Sequence, residues 1–307
     1  MANVLITGGL GYIGTVLTNL YLNNLGDEVT VVDKKRDFTR ENELQNSNIK
    51  FREIDILNKK ELKKIVSNSD IIYHLAGVTD VPRLKNDDAD KVNEEIYQIG
   101  VIGTRNILET ASSDTKIIFP STHVIFEGLE EVKLEISEEE TAQPLLTYAQ
   151  TKVTNENEIK ESGLNYVILR LGSVHGFAGA STRLNIMSNF FSKIAAEKGE
   201  INLHGGGQQL KSLVSVFDVA TALKYTAENN KIKKEVFHCV SENILVKDVA
   251  KICKSIEDEV TINNSNEQVP NLGYGLTSQK LIENGFNFKV LLEESIKEMI
   301  NEWKNGK

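Results

Sequence analysis

A short apolar run leads directly into a glycine-rich turn at the start of this chain. Residues 4–6 form the apolar run, and residues 7–14 follow with the sequence TGGLGYIG, which contains G-x-G-x-x-G and a glycine at every third position. One glycine allows the tight turn, another lets the backbone approach a pyrophosphate, and another lets the next helix pack on the strand. The pattern therefore predicts a strand–turn–helix unit with a dinucleotide at the helix N-terminus.

Short apolar runs alternate with longer helical patterns through the first half of the chain. We expect strands at residues 4–6, 28–33, 51–54, 71–74, 116–120 and 165–171. Near-continuous apolar strands separated by helices are typical of a parallel sheet covered on both faces. An apolar stripe at helical spacing predicts one buried helix that ends near Ser112; its members are Val92, Ile96, Ile99, Gly103 and Ile107. The sequence predicts an α/β fold built on a doubly wound parallel sheet.

The alternation loosens after residue 173. We expect a helix over residues 184–198, a turn at Gly205-Gly206-Gly207, a strand–helix–strand unit that returns to the main sheet, and two amphipathic helices broken at Gly285. This predicts a dinucleotide-binding domain of residues 1–173 together with about 208–240. The remainder, about 174–207 and 241–307, is expected to form a smaller α+β substrate-binding region on the C-terminal side.

Composition excludes several function classes. The chain has 307 residues, 40% of them hydrophobic, which is enough for a sizeable core, and a net charge of -9, which suits nucleic acid poorly. Its two cysteines and its histidines lack the spacing of metal ligands, so no metal and no disulfide are expected. No apolar run approaches the ~20 residues of a membrane span, and no signal peptide is visible. We expect a cytoplasmic protein without a membrane or nucleic-acid partner.

An acidic residue ends the second predicted strand. Asp33 closes the run over residues 28–33 and is placed to bind a ribose 2′-hydroxyl. Its charge would repel a 2′-phosphate, so the sequence predicts NAD rather than NADP. Lys34, Lys35 and Arg36 follow directly. They could attract a 2′-phosphate or form a solvated charge run, which leaves NADP open.

A tyrosine and a lysine share one face of a later predicted helix. Tyr148 and Lys152 form Y-x-x-x-K, and residues four apart lie on the same helix face. A nearby ammonium favours the phenolate form of a tyrosine, whose ordinary pKa is ~10. Tyr148 could then take a proton from a sugar hydroxyl. Ser121 and Thr122 end the fifth strand at the sheet edge where ligands bind, so a hydroxyl there could share that proton.

Taken together, these motifs resemble the extended short-chain dehydrogenase/reductases, and within them the NAD-dependent sugar-nucleotide epimerase/dehydratase family. The resemblance spans nearly the whole chain. It is carried by residues 7–14, Asp33, Asp55-Ile56, residues 74–77 (HLAG), Gly103-Thr104, Ser121-Thr122, residues 148–152, residues 170–176 (RLGSVHG), and the stretches 278–286 and 292–296.

The resemblance implies a Rossmann domain, a set of site residues and, by analogy, a homodimer. The implied catalytic residues are Thr122, Tyr148 and Lys152. The implied cofactor-binding residues are Gly8, Gly11, Tyr12, Ile13, Gly14, Asp33, Asp55, Ile56, Leu75, Ala76 and Gly77, together with Tyr148 and Lys152, the latter on the nicotinamide ribose. Arg183, Asn185 and Lys211 fall where the family contacts the diphosphate of a nucleotide-sugar substrate.

Several positions depart from the family pattern. The family's Asn before the Gly-Thr pair is Gly100, and its Asn after the Arg170 strand is Ser173. Its Arg-Asp-Phe segment reads Lys-Ser-Leu at residues 211–213, and no arginine stands near Pro270 for a second diphosphate contact, for which Arg183 could compensate. These changes leave the catalytic residues intact and do not determine which sugar is the substrate.

The resemblance leaves several functions to choose from. The first is a sugar-nucleotide epimerase, acting at C4 through a transient keto-sugar. The alternative is an NAD(P)-dependent sugar-nucleotide dehydrogenase or keto-sugar reductase with the same catalytic residues. A 4,6-dehydratase is disfavoured because that branch carries Asp-Glu after the catalytic threonine, where this chain has His123-Val124. A non-catalytic NAD-binding regulator is disfavoured because such proteins have lost Y-x-x-x-K.

Overall fold

The computed structural model describes residues 2–22, 26–44, 49–78, 89–129, 131–265, 267 and 272–306. Its strands are β1 (Asn3–Thr7), β2 (Glu28–Asp33), β3 (Ile49–Glu53), β4 (Ile71–His74), β5 (Lys116–Thr122), β6 (Asn165–Leu171), β7 (Ser173–His175), β8 (Glu200–Leu203), β9 (Leu210–Ser215), β10 (Glu235–Cys239), β11 (Glu242–Leu245) and β12 (Thr261–Asn264).

The helices follow the same chain order. They are α1 (Tyr12–Asn19), α2 (Phe38–Glu43), α3 (Lys59–Val66), α4 (Ala89–Tyr97), α5 (Gly103–Leu108), α6 (Thr147–Glu161), α7 (Met187–Ala196), α8 (Val216–Glu228), α9 (Val246–Ile256), α10 (Gln279–Glu283) and α11 (Leu292–Lys304). A π-helical turn covers Gln98–Ile102, and 3-10 turns cover His123–Phe126 and His204–Gly207. Within the described ranges, no helix has both the length and the hydropathy that crossing a bilayer requires.

The main sheet confirms the predicted doubly wound α/β fold. Among the described residues seven strands join in the order β10-β6-β5-β4-β1-β2-β3. The pairs β1–β2, β1–β4, β2–β3 and β4–β5 are parallel. The chain order reverses beside β1, which lies between β2 and β4, and such a reversal is where open α/β sheets bind ligands. The buried side chains of Leu5, Ile72, Ile117 and Ile168 join β1, β4, β5 and β6 in one apolar core.

The predicted helix ending near Ser112 is instead three consecutive segments. α4 ends at Tyr97, the π-helical turn Gln98–Ile102 follows, and α5 ends at Leu108. The stripe is partly as predicted, since Ile96, Gly103 and Ile107 are buried. A Cβ on Gly103 would lie 2.4 Å from Cδ1 of Ile56, so a glycine is needed for this close approach. Because the apolar stripe continues across the π-helical turn, the spacing of apolar residues does not reveal the break between α4 and α5.

The described chain divides into two compact units. One comprises residues 1–128, 141–170 and 220–237, and the other comprises 129–140, 171–219 and 238–307. The segment that we predicted as one unit, 208–240, is divided because β9 pairs with β7 and β11 in a separate three-stranded sheet. Residues 129–140 join the second unit, where Ile136 forms a β-bridge with Leu276. The functions assigned to these domains stay predictions.

The second unit has its own core, formed by helices on small sheets. Buried apolar side chains from five elements meet there, and they include Phe191 of α7, Ile201 of β8, Leu213 of β9, Val249 of α9 and Ile296 of α11. β8 pairs with β12 in parallel. The unit is therefore the predicted mixture of helices and strands.

A buried lysine caps a helix of the first unit. Lys116 begins β5, and its Nζ donates hydrogen bonds to the carbonyl oxygens of Thr226, Ala227 and Asn229, at 2.6, 3.1 and 3.1 Å. The last carbonyls of a helix have no partner within it, and a cation there also complements the helix dipole. Burial lowers the pKa of Lys116 to about 8. The lysine thus fastens the end of α8 to the start of β5.

We predict that Lys116→Met destabilises the protein by about 1–3 kcal/mol, because it leaves buried carbonyls without a donor. Lys50→Met is the matched control: Lys50 forms an exposed ion pair with Glu28 at 2.8 Å, and such pairs contribute about 0–1 kcal/mol. Urea unfolding followed by circular dichroism measures both variants. Equal losses would contradict a specific role of the Lys116 cap.

Candidate active site

The predicted phosphate turn and the turn after β4 are in backbone contact. Gly8 has a φ of +66°, and a Cβ there would lie 2.7 Å from the amide nitrogen of Ala76. A Cβ on Gly14 would lie 2.3 Å from the carbonyl oxygen of Gly8. The N–H of Gly11 donates to that same oxygen at 3.0 Å. The turn is therefore a cradle of bare backbone, which fits a group that must approach the main chain closely.

The helix after this turn begins at the predicted residues. α1 starts at Tyr12 and includes Ile13, and its N-cap, Gly11, provides no side-chain hydrogen bond to the helix. The first amides of a helix carry partial positive charge, and an anion such as a pyrophosphate is stabilised at that end. The residues present therefore fit a dinucleotide phosphate.

Asp33 lies at the end of β2 and holds the glycine turn. Its carboxylate accepts hydrogen bonds from the N–H of Leu10 at 3.2 Å and of Lys34 at 2.9 Å. Burial raises the pKa of Asp33, against the lowering effect of these backbone donors. The Lys34 side chain forms an ion pair with Glu95 at 3.4 Å.

Arg36, like Lys34, already faces a carboxylate. Its guanidinium forms an ion pair with the Glu41 carboxylate, and it lies over the Phe38 ring, 5.0 Å from the centroid. Cations that already face carboxylates attract a 2′-phosphate less than free ones. This arrangement favours the NAD interpretation over the NADP alternative.

The residues predicted to lie beside the adenine, Asp55 and Ile56, differ from the predicted turn residues 75–77 in burial and in hydrogen bonding. Ile56 is a core residue, 5% exposed, and its carbonyl accepts from the amide of Asn106 at 3.0 Å. The exposed Asp55 accepts from the N–H of Leu57 at 2.9 Å. A Cβ on Gly77 would meet nothing within 4 Å. Leu75 and Ala76 follow β4 directly, and their amides bond to the backbone carbonyl and the hydroxyl of Thr7, at 3.1 and 3.3 Å.

Tyr148 and Lys152 lie in the first two turns of α6. The Lys152 Nζ donates to the carbonyl oxygen of Pro120 at 2.8 Å and lies 5.8 Å from the centroid of the Tyr148 ring. Thr122 ends β5 two residues after Pro120, and its hydroxyl accepts from the N–H of Val124 at 3.3 Å. The lysine is therefore anchored to the strand that ends in the predicted catalytic threonine.

Lys152 loses its proton more readily than an ordinary lysine. Burial lowers the pKa of Lys152 to about 8, and the Glu156 carboxylate acts in the opposite direction. Near neutral pH the ammonium form therefore still predominates. A cation in a low-dielectric surrounding stabilises a nearby phenolate more than one in water does.

A buried ion pair behind these residues was missed at the sequence level. Glu156 is 2% exposed, and Arg170 donates to its carboxylate at 3.0 Å from Nε and 2.8 Å from Nη2. The Ser121 hydroxyl donates to the same carboxylate at 2.6 Å. Burial acts to raise the pKa of Glu156, but Arg170, Ser121 and Lys160 together outweigh it and the pKa is lowered. The spacing of Glu156, four residues after Lys152, was the available signal.

The predicted diphosphate residues all lie in the second unit. Arg183 and Asn185 are joined, since Nε of Arg183 donates to Oδ1 of Asn185 at 3.1 Å. Lys211 lies on another element, β9, where it is in register with Ile244 of β11. Pro270, near which the sequence has no second arginine, lies outside the described residues.

Ser212, which stands where the family carries aspartate, is a structural residue. It is buried, and its hydroxyl donates to Oδ1 of Asn243 at 2.7 Å and accepts from the N–H of Leu276 at 3.2 Å. At this position the chain therefore carries a buried, hydrogen-bonded serine inside the second unit.

We predict that Gly14→Ala raises the dissociation constant of NAD by at least about tenfold, a loss of about 1.4 kcal/mol, because the added Cβ forces backbone atoms of the turn apart. Gly100→Ala is the control, since a Cβ there lies 3.4 Å from its nearest neighbour, Oγ1 of Thr151, an ordinary contact. Calorimetric titration with NAD measures both. Unchanged affinity in Gly14→Ala would contradict a phosphate cradle at this turn.

Comparisons with known proteins agree with this geometry. The profile of the NAD dependent epimerase/dehydratase family matches residues 4–239. UDP-N-acetyl-alpha-D-glucosaminuronate decarboxylase of Bacillus cytotoxicus is 27% identical over 258 residues, covering 78% of this chain and 75% of that protein. A Methanocaldococcus jannaschii protein provisionally named UDP-glucose 4-epimerase is 29% identical over 229 residues, 71% of each.

A solved structure has the same fold. UDP-glucuronic acid 4-epimerase from Bacillus cereus, in complex with UDP-glucuronic acid and NAD, superposes with a TM-score of 0.86 at 23% identity, over 99% of this chain and 100% of that one. Because the family profile covers most of the chain, this protein belongs to the NAD-dependent epimerase/dehydratase family, and it is an enzyme with NAD as its cofactor.

Proposed function

We propose that this enzyme is a sugar-nucleotide epimerase that inverts C4 of the sugar through a transient keto-sugar. The observation that carries the proposal is the pairing of Tyr148 with Lys152, whose ammonium is 2.8 Å from the carbonyl oxygen of Pro120 on the strand that ends at Thr122. β5 thus contributes a hydroxyl, and α6 contributes a phenol and a partly buried cation. Such a set can move a proton on and off a sugar hydroxyl.

Each of these residues has a separate role in the proposal. Tyr148, as phenolate, takes the proton of the C4 hydroxyl and later gives it back. Lys152 lowers the cost of the phenolate through its charge and holds the nicotinamide ribose. Thr122 hydrogen-bonds the same sugar hydroxyl, which fixes it near the tyrosine. When bound, NAD supplies a reversible acceptor for the hydride of C4.

The cofactor is held by a second group of residues from the same unit. The bare backbone at Gly8, Gly11 and Gly14 receives the pyrophosphate, and Asp33 binds the adenosine ribose. Asp55 and Ile56 lie beside the adenine, and residues 75–77 line the remaining turn. All of these positions follow the carboxyl ends of parallel strands, the edge where such sheets bind ligands.

The net reaction is the finer part of the proposal, and one observation disfavours dehydration of the sugar. His123-Val124 replaces the Asp-Glu pair of the dehydratases, so the side chains that would remove water from the sugar are missing. The second candidate, a net dehydrogenase or keto-sugar reductase, uses the same three residues. It differs only in whether the hydride returns to the sugar.

The substrate is proposed to be a UDP-linked sugar, since UDP-sugars stand in the names of the similar proteins. Arg183, Asn185 and Lys211 are proposed to contact its diphosphate, because two cations and an amide suit a doubly charged group. The homodimer stays a prediction by analogy.

We predict that a UDP-hexose deuterated at C4 is epimerised with its label retained. An epimerase returns the hydride that it removes, so reduced nicotinamide should not accumulate in step with product. Mass spectrometry and NMR of the sugar, with absorbance of reduced nicotinamide, measure both quantities. Transfer of the label into free reduced nicotinamide would establish the dehydrogenase alternative, and release of carbon dioxide from a UDP-uronate would indicate a decarboxylase.

We predict that Tyr148→Phe lowers turnover by ~100-fold or more, the usual contribution of a positioned acid–base group. NAD affinity should stay near normal because the glycine cradle is unchanged. Tyr97→Phe, at an exposed tyrosine of α4, is the matched control and should turn over normally. A Tyr148→Phe enzyme with near-normal turnover would remove this tyrosine from the mechanism.

A further inference from the structure

The ring of Phe119 contacts both the Lys152 ammonium and the His74 imidazole. Nζ of Lys152 lies 4.3 Å from the Phe119 centroid, well within the reach of a cation–π contact. The His74 and Phe119 centroids are 5.8 Å apart, with their planes inclined by 35°. Phe119 is 1% exposed, so its ring is shielded from water. All three residues belong to the first unit.

The Lys152 ammonium has few other stabilising interactions. Among the residues that the structure describes, it has no ion pair, and its hydrogen bond is to the neutral carbonyl of Pro120. The nearest carboxylate along α6, that of Glu156, is bound by Arg170 and Ser121. A partly buried ammonium without a carboxylate partner depends more on polarisable or dipolar neighbours to keep its proton.

His74 is held in the neutral form by its two partners. The Thr104 hydroxyl donates to the carbonyl oxygen of Gly100 at 2.5 Å, so its oxygen accepts the N–H of His74 Nε2 at 3.0 Å. Nδ1 is then an acceptor, and the Thr7 hydroxyl donates to it at 2.9 Å. Burial lowers the pKa of His74 to about 3, and the Lys152 charge acts in the same direction. No second cation therefore competes for the Phe119 ring at this point.

We propose that Phe119 is a positioning residue for Lys152, and that its ring, backed by a neutral His74, stabilises the ammonium by a cation–π contact. The groups that face the ammonium are then Phe119 and Pro120 of β5, His74 of β4, and Tyr148 and Glu156 of α6. The consequence of the Phe119–Lys152 contact for catalysis rests on the proposed function, because the protonated form of Lys152 favours the Tyr148 phenolate. The contact itself is a property of the protein without substrate.

The test measures the Lys152 pKa directly. The ¹³Cε signal of Lys152, assigned by its loss in Lys152→Arg, is titrated by NMR in the full chain without cofactor. Phe119 is replaced by phenylalanines bearing one, two or three ring fluorines, which keep the shape of the ring and progressively weaken its negative face. We expect the pKa to fall stepwise, by about half to one unit over the series, a roughly 3- to 10-fold easier loss of the proton.

The same fluorinated residues at Phe237, a fully buried ring of β10, are the matched control and should leave the Lys152 titration unchanged. Phe119→Leu gives a second measure, since it keeps an apolar side chain but has no π face, and its Lys152 pKa should fall at least as far. A flat fluorine series, or a fall equal to that of the Phe237 series, would overturn the proposal.

Activity measurements separate this proposal from the proposed function. If the enzyme epimerises UDP-sugars, the alkaline limb of kcat should move to lower pH with each added fluorine, because the ammonium is lost earlier as pH rises. A stepwise Lys152 pKa in an enzyme that epimerises no UDP-sugar would reject the proposed function alone. Normal epimerisation with a flat Lys152 titration would reject the role of Phe119 alone.

Discussion

The candidate site depends on one steric constraint, the direct contact of backbone with backbone at the start of the sheet. Gly8 approaches Ala76, and Gly14 approaches Gly8, at distances that leave no room for a Cβ. The glycine turn, the start of α1 and the turn after β4 can therefore meet where β1 and β4 end. The contact creates a surface of peptide groups instead of side chains, and peptide N–H groups are the donors that a phosphate requires. A single methyl group at either glycine would separate these pieces.

The proposed catalytic residues depend on a different interaction, the buried pair of Glu156 and Arg170. It links α6 to β6, and the Ser121 hydroxyl adds β5. Removing one partner of such a pair costs more than the pair contributes, because the other charge is left buried. Ser121 immediately precedes Thr122, so the same carboxylate influences where the threonine lies relative to the tyrosine helix. The pair therefore sets the geometry of the proposed proton transfer without touching the substrate.

Much of the first unit could be predicted from the sequence because its signals are local. The strand–glycine–helix pattern, the acid at Asp33 and the spacing of Tyr148 and Lys152 each depend on a few neighbouring residues, and the predicted strands lie within two residues of the observed ones. The π turn Gln98–Ile102 could not be predicted, since one extra residue in a turn barely disturbs an apolar stripe. The partners of β9 and of residues 129–140 depend on contacts distant in sequence, which no local pattern encodes. Glu156 was missed because a polar residue on a helix is ordinarily exposed.

The interleaved division of the chain has a consequence for synthesis on the ribosome. The first unit is built from residues 1–128, 141–170 and 220–237, so β10, the strand beside β6, leaves the ribosome only after much of the second unit's sequence. Lys116 likewise finds the helix end that it caps more than a hundred residues later. Until then β6 is an edge strand with open hydrogen-bonding groups, a surface that pairs readily with other chains. In the order of synthesis, all strands of the largest sheet except β10 are therefore made while the outer edge of β6 has no partner, and unpaired strand edges are prone to aggregate.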